Sequence, residues 1–183
     1  MCIRDRAITL FKIYSKNKFK PNEIHYEMNN DLRQTNPRGV YVTSIVGSYN
    51  SQTDIVELSN AGHLPALFKN GQGFKEYESS SLPLGIKKAD NSNEYKLESF
   101  KLDNGRLYCF TDGFSECRND KGEEIGISGV KDLINNYQNA SLKKELSKII
   151  KDVEGKSIKG QNFNQNNNDN ILEDDLTIIG LGK

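Results

Sequence analysis

The order of helical and strand patterns along the chain predicts an α+β fold: two helical segments, a meander of strands, further helices and a closing strand. Three observations carry this expectation. Apolar residues recur at helical spacing near the N-terminus and again over 129–153, β-branched alternation punctuated by turn residues fills the middle of the chain, and nothing alternates strand with helix as a parallel sheet requires.

The segment from Ala7 to Lys18 carries Ile8, Leu10, Phe11, Ile13 and Tyr14 close to helical spacing. Pro21 then opens a second helix at a tolerated first-turn position, with Ile24, Met28 and Leu32 recurring every four residues. Gly39 to Tyr49 alternates through Val40, Val42, Ile45 and Val46, and Asp54 to Ser59 reads as its antiparallel partner across Asn50-Ser-Gln-Thr53. Leu64 to Lys69 and Gly73 to Tyr77 flank the turn Asn70-Gly71-Gln72. Tyr95 to Leu102, followed by Asp103-Asn-Gly105, leads into the apolar run Arg106 to Phe110, a central strand. Helical spacing returns over Gly129 to Tyr137 and Leu142 to Val153. Core positions are expected at Val130, Leu133 and Ile134, then at Leu142, Leu146, Ile149, Ile150 and Val153. The asparagine- and glutamine-rich stretch 159–170 is expected to be a flexible loop before a final strand, Leu176 to Leu181.

The 183 residues, 35% hydrophobic and 27% charged, suit one globular domain with a core of its own. Lysine plus arginine equals aspartate plus glutamate at 25 each, so no basic excess favours nucleic acid as a partner. No apolar run reaches the roughly 20 residues of a membrane span, and no secretory signal is seen, so a cytoplasmic location is expected. The spacing of Cys2, Cys109 and Cys117 matches neither a disulfide framework nor a zinc site. Met1-Cys-Ile-Arg-Asp5 reads as a translation of ATGTGTATAAGAGACAG, a transposon end used in preparing sequencing libraries. On that reading residues 1–6 are adapter, the domain begins partway through, and Cys2 carries no meaning.

Chemistry concentrates at two acidic points. Asp112 ends the strand Arg106 to Phe110, and Gly113 permits the sharp exit that presents its carboxylate. Glu173-Asp174-Asp175 precedes the last strand. Mg²⁺ and Mn²⁺ prefer carboxylate and water oxygen from few protein ligands, so strand-end aspartates far apart in sequence make a sensible site if they converge. Asp112 also suits a helix-capping turn, and Asp174 and Asp175 also suit a solvated strand entrance. His63 after Gly62 reads as a hydrogen-bonded turn residue, and Glu116 and Glu123 as ordinary exposed acids. Ser115 lacks a Gly-x-Ser-x-Gly turn, and Cys117 lacks a phosphate-cradling loop, so covalent catalysis is not expected.

Five short runs occur in one order: Asn60-Ala-Gly-His-Leu-Pro65, Leu82-Pro-Leu-Gly85, Thr111-Asp-Gly-Phe-Ser-Glu116, Gly122-Glu-Glu-Ile-Gly126 and Asp174-Asp-Leu-Thr177. Together they resemble the SpoIIE/RsbU branch of the metal-dependent protein phosphatases (PPM). The resemblance extends from about Ala7 to the end, so 7–183 is expected to be a partial PPM-type domain with its N-terminal part missing. It implies a sandwich of two antiparallel sheets flanked by helices, and two Mn²⁺ or Mg²⁺ ions held by aspartates. It also implies hydrolysis of phosphoserine or phosphothreonine by a metal-activated water, on a phosphorylated regulatory protein such as an anti-sigma-factor antagonist. By the same resemblance Asp112 and Asp174 are metal ligands and catalytic residues, with Asp175 competing for the second place. The family's bridging aspartate, followed by Gly-His-Gly, has no counterpart in these residues, which implies an inactive fragment. A non-catalytic pseudophosphatase that binds a regulatory protein is the alternative.

Overall fold

The computed structural model describes residues 3–17, 19–37, 39–119, 122–137, 140–160 and 176–182. It bears out the α+β expectation with two antiparallel sheets, of three and four strands, flanked by helices. The chain divides into two compact units, 1–65 with 76–103, and 66–75 with 104–183.

In the first unit, α1 (Ile3–Ser15) and α2 (Pro21–Thr35) precede β1 (Ser44–Asn50) and β2 (Ile55–Ala61). The predicted hairpin forms, with Ser44 opposite Ala61 and Asn50 opposite Ile55. Its turn closes because Asn50 Oδ1 accepts the backbone N–H groups of Gln52 and Thr53. The strand begins later than the alternation from Gly39 predicts, since Val42 instead bridges Leu84 by a reciprocal pair of backbone hydrogen bonds. The third strand, β5 (Glu98–Lys101), pairs with β2 to give the order β1-β2-β5.

The helix α2 buries Ile24, Met28 and Leu32 as its spacing predicts, together with Val46, Ala61, Leu84 and Tyr95. It also buries Asn22, His25 and Asn29. His25 is fully buried, its Nδ1 3.0 Å from Ser59 Oγ and its Nε2 3.2 Å from Ser44 Oγ, so it ties α2 to both strands of the hairpin. Burial holds its pKa down at about 3, because a charged imidazole would lose its hydration there.

The second sheet runs β4-β3-β6-β7, formed by β4 (Gly73–Tyr77), β3 (Ala66–Asn70), β6 (Arg106–Phe110) and β7 (Ile178–Gly182). In the second unit a four-residue helix α3 (Asp112–Ser115) follows β6, and α4 (Gly126–Tyr137) and α5 (Leu142–Gly160) complete the helices. Residues 159 and 160, expected in the flexible loop, continue α5, while 161–170 lie outside the described residues. Gly180 of β7 leaves room for Leu142 and Leu146: a Cβ there would come within 3.0 Å of Leu142 Cδ1.

The inward face of α5 carries an acid that helical spacing alone does not announce. Glu145 is fully buried one turn before Ile149 and two before Val153. It forms an ion pair with Arg106 and accepts a 2.7 Å hydrogen bond from Tyr108 Oη. Arg106 also donates to the Ala140 carbonyl. Both Arg106 and Tyr108 belong to β6, so this polar clasp fixes the start of α5 on the strand that leads to Asp112. Desolvation, with the Glu145 hydrogen bond second, pushes the Tyr108 phenol well above its ordinary range.

Two outcomes test this packing. Because the folded-state pKa of His25 lies below its unfolded value, its contribution is full above pH 6.5 and is lost as pH falls through 6.5 toward 3. Denaturant unfolding should show about 2 kcal/mol less stability at pH 5 than at pH 7 from this residue, and His25→Gln should flatten that slope. An equal slope in the variant would refute the assignment. Glu145→Ala should cost about 3 kcal/mol by stranding Arg106, with much of the loss recovered in Arg106→Met/Glu145→Leu; a single-variant cost under about 1 kcal/mol would show that the clasp is not needed.

Candidate metal centre

Asp112 stands where its sequence context places it, exposed and one residue beyond the N-cap position of α3. Phe114, two residues on, is fully buried and turns the chain inward, so Asp112 faces out. Its backbone carbonyl accepts from Glu116 N at 2.8 Å and Ser115 Oγ at 3.0 Å, and its Oδ1 accepts the Gly113 N–H at 3.1 Å. The capping role open to this aspartate is not realised: Asp112 is the first residue of α3, and its Oδ1 accepts from the adjacent Gly113 N–H rather than from an N–H deeper in the helix. Thr111 occupies the cap position itself, yet its hydroxyl makes no cap hydrogen bond.

That hydroxyl is used across the sheet. Pairing of β6 with β7 runs from Arg106 opposite Gly182 to Phe110 opposite Ile178. It is extended by Thr111 N–H donating to the Thr177 carbonyl at 3.0 Å, and by Thr177 N–H donating to Thr111 Oγ1 at 3.1 Å. Because the pair is antiparallel, β7 starts at the end of the sheet where β6 finishes at Phe110, two residues before Asp112. Thr177 and Leu176 are the first described residues on that side, and Asp174 and Asp175 lie outside the described residues. Among the described residues no three His, Cys, Asp or Glu side chains gather as metal ligands. The donor chemistry at Asp112, an exposed carboxylate beside a strand end, fits Mg²⁺ or Mn²⁺.

The other motif residues have structural employment. Asn60, buried, accepts the His63 N–H at 3.0 Å and donates to the Leu64 and Tyr77 carbonyls at 3.1 and 3.3 Å. His63 Nδ1 lies 3.2 Å from Thr43 Oγ1, the turn role its position predicts. Gly62, at φ +70°, packs under Pro83 so closely that a Cβ would stand 2.4 Å from Pro83 Cγ. Gly85, at φ +95°, donates its N–H to Asn29 Oδ1 at 2.9 Å, and Asn29 Nδ2 donates to the Lys87 carbonyl at 3.1 Å. Two of the five runs are thus two faces of one packed corner, and α2 supplies its latch. Sequence reading missed Asn29, although its spacing of four and three residues from His25 and Leu32 puts it on the buried face.

In the run Gly122-Glu-Glu-Ile-Gly126, the Glu123 carbonyl accepts the Asn119 N–H at 2.8 Å and the Gly122 N–H donates to the Asn119 carbonyl at 2.9 Å, ahead of α4. Glu116 and Glu123 are exposed. Cys117 is buried, and burial pushes the Cys109 thiol up to about 11, which leaves it a poor nucleophile.

The family profile for stage II sporulation protein E (SpoIIE) matches residues 5–182. The chain belongs to the SpoIIE family of PP2C-type (PPM) phosphatase domains. Among solved structures it is similar to the SiaA-PP2C domain of Pseudomonas aeruginosa, at 15% identity and TM-score 0.76, over 97% of this chain and 66% of that one. It is also similar to the PP2C phosphatase domain with a regulatory fragment of SpoIIE from Bacillus subtilis, at 18% identity and TM-score 0.72, over 96% of this chain and 48% of that one. A third is RsbX in complex with magnesium, at 14% identity and TM-score 0.62, over 96% of this chain and 71% of that one. At these identities the likeness speaks for the fold. The chain spans less than two thirds of the length of the first two. Curated protein sequences give no match.

The Thr111 latch yields a direct expectation. Thr111→Val should lower stability by roughly 0.5–1.5 kcal/mol through loss of the hydroxyl partner of Thr177. In hydrogen exchange the Thr177 amide should lose protection; unchanged protection would show that the joint does not depend on this side chain.

Proposed function

We propose that the chain is the greater part of a metal-dependent protein phosphatase domain. Its substrates would be phosphoserine or phosphothreonine on a regulatory protein, such as an anti-sigma-factor antagonist. The observation that supports this most is the β6–β7 joint, which starts β7 on the side of Asp112, three residues after Asp175 in sequence. Asp112 and Asp174 would hold the metal, with Asp175 as the competing second ligand. Mn²⁺ or Mg²⁺ is the fitting ion, in keeping with the magnesium named for the RsbX structure. When bound, such ions supply an activated water for in-line attack on phosphorus and stabilise charge on the phosphoryl oxygens. The protein's part is to hold carboxylates at a fixed strand end, with α3 anchored by Phe114 so that Asp112 stays presented.

These 183 residues contain no aspartate followed by Gly-His-Gly, the bridging ligand that the family resemblance implies. Loss of a carboxylate shared by two ions weakens both sites together. The chain by itself is therefore expected to have little or no activity. The second reading is a non-catalytic module that binds a phosphorylated regulator. The location expected for either role is the cytoplasm; among the described residues no helix is long and apolar enough to cross a membrane.

The test joins an upstream segment carrying the missing acid to this chain and assays a phosphoserine peptide with Mn²⁺. Turnover that falls at least about a hundredfold in Asp112→Asn supports the enzyme, while absence of turnover in the extended protein supports the binding module. For the chain alone, Mn²⁺ should raise the melting temperature little. A ligand at a hundred times its dissociation constant stabilises by about 2.7 kcal/mol, so a shift of that size would contradict the missing-ligand account.

A further inference from the structure

A cavity of about 230 Å³ in the first unit is unused by the reading above. The segment 80–95 folds around it, and three buried asparagines hold that segment in place. The Asn60 carbonyl accepts from Ser81 Oγ at 3.0 Å, Asn29 Nδ2 donates to the Lys87 carbonyl at 3.1 Å, and Asn22 Nδ2 donates to the Ser92 carbonyl at 3.3 Å. Leu84 is held between them by its reciprocal backbone pair with Val42. The cavity is therefore built into the fold. It is smaller than the roughly 300–1,000 Å³ usual for drug-sized ligands, so it suits a small molecule.

Tyr95 points to a ligand. It is 4% exposed and lines the cavity, with its ring 5.6 Å from that of His25. Its Oη makes no hydrogen bond among the described residues, yet it is not sealed away; the described buried side-chain atoms without a partner are Asn22 Oδ1 and Asn36 Nδ2. A buried phenol ordinarily finds a partner, so this O–H is left for an occupant of the cavity. Burial, with the Glu94 carboxylate second, pushes its pKa up to about 12, which keeps it a donor at neutral pH. Lys87 and Glu94 line the same cavity, and neither is in an ion pair among the described residues. Glu94 Oε1 accepts the Asp90 N–H at 2.6 Å, which leaves Oε2 without a described partner. An anion in so small a space would answer Lys87 but face Glu94, and a cation the reverse. A molecule carrying both signs satisfies both. Ser81 Oγ has spent its proton on the Asn60 carbonyl and can only accept, which suits an ammonium, while Leu82, Pro83 and Ala89 give the lining an apolar part.

We infer that this cavity is a binding site for a small zwitterion, a free α-amino acid with an aliphatic side chain. Lys87 and the Tyr95 O–H meet its carboxylate, Glu94 and the serine hydroxyls of Ser80 and Ser81 meet its ammonium, and its side chain covers Leu82, Pro83 and Ala89. The probe is L-leucine titrated into ¹⁵N-labelled chain without metal. Two comparators each lack one charge: 4-methylpentanoate has no ammonium, and leucinamide no carboxylate. The Ser81, Ala89 and Tyr95 amide resonances should shift saturably with leucine, and each comparator should bind at least about fivefold more weakly. Tyr95→Phe, which keeps the ring, and Lys87→Gln/Glu94→Gln, two exposed changes, should each weaken leucine binding at least about fivefold. No shift with leucine, equal binding of either comparator, an unaltered response in either variant, or shifts confined to other residues would overturn the site. The comparators act on the unaltered chain, so the test stands even if the Tyr95 variant fails to fold. Neither metal nor phosphate enters it, and a failed phosphatase assay leaves its outcome intact.

Discussion

Antiparallel pairing of β6 with β7 is the constraint on which the functional argument turns. A strand from the middle of the chain and one from its end are brought into register over five residue pairs and then held by Thr111 and Thr177. A slip of one residue would turn Tyr108 away from Glu145 and Gly180 away from Leu142 and Leu146. The buried clasp of Arg106, Tyr108 and Glu145 therefore specifies register at the far end of the strand from Asp112. Burying such charges contributes little net stability, but breaking the set is costly, which suits it to selecting one arrangement.

Much of the fold was legible because its signals are local. The turn at Asn50 to Thr53, the paired strands around it, the strand Gly73 to Tyr77 and the faces of both later helices follow from side-chain period and turn chemistry. The errors have physical reasons. Gly39 to Val42 alternates like a strand, yet it spends its hydrogen bonds on Leu84, a tertiary choice invisible in the local pattern. The buried positions of His25, Asn29 and Glu145 look polar and therefore exposed; only their partners, Ser44 and Ser59, Gly85 and Lys87, Arg106 and Tyr108, make burial tolerable.

The candidate site divides in the same way. Asp112 could be singled out because strand, aspartate and glycine together dictate a presented carboxylate, and it is exposed as that logic requires. The ordered motifs that pointed to the family contain residues of two kinds. Asn60, Gly62, Pro83 and Gly85 are held by packing and hydrogen bonds within one corner, whereas Asp112 makes few internal contacts. The signature thus mixes residues packed into the scaffold with a carboxylate that stays exposed, and geometry separates them.

The central claim is that acids from two distant parts of the chain serve one cation at the end of the β6–β7 pair. Titrating Mn²⁺ at substoichiometric levels into ¹⁵N-labelled chain tests it most directly, because paramagnetic broadening reports proximity even when binding is weak. The account predicts that the Gly113 and Thr177 amide resonances broaden together and before the rest. Broadening of one without the other, or a first effect elsewhere in the chain, would contradict it.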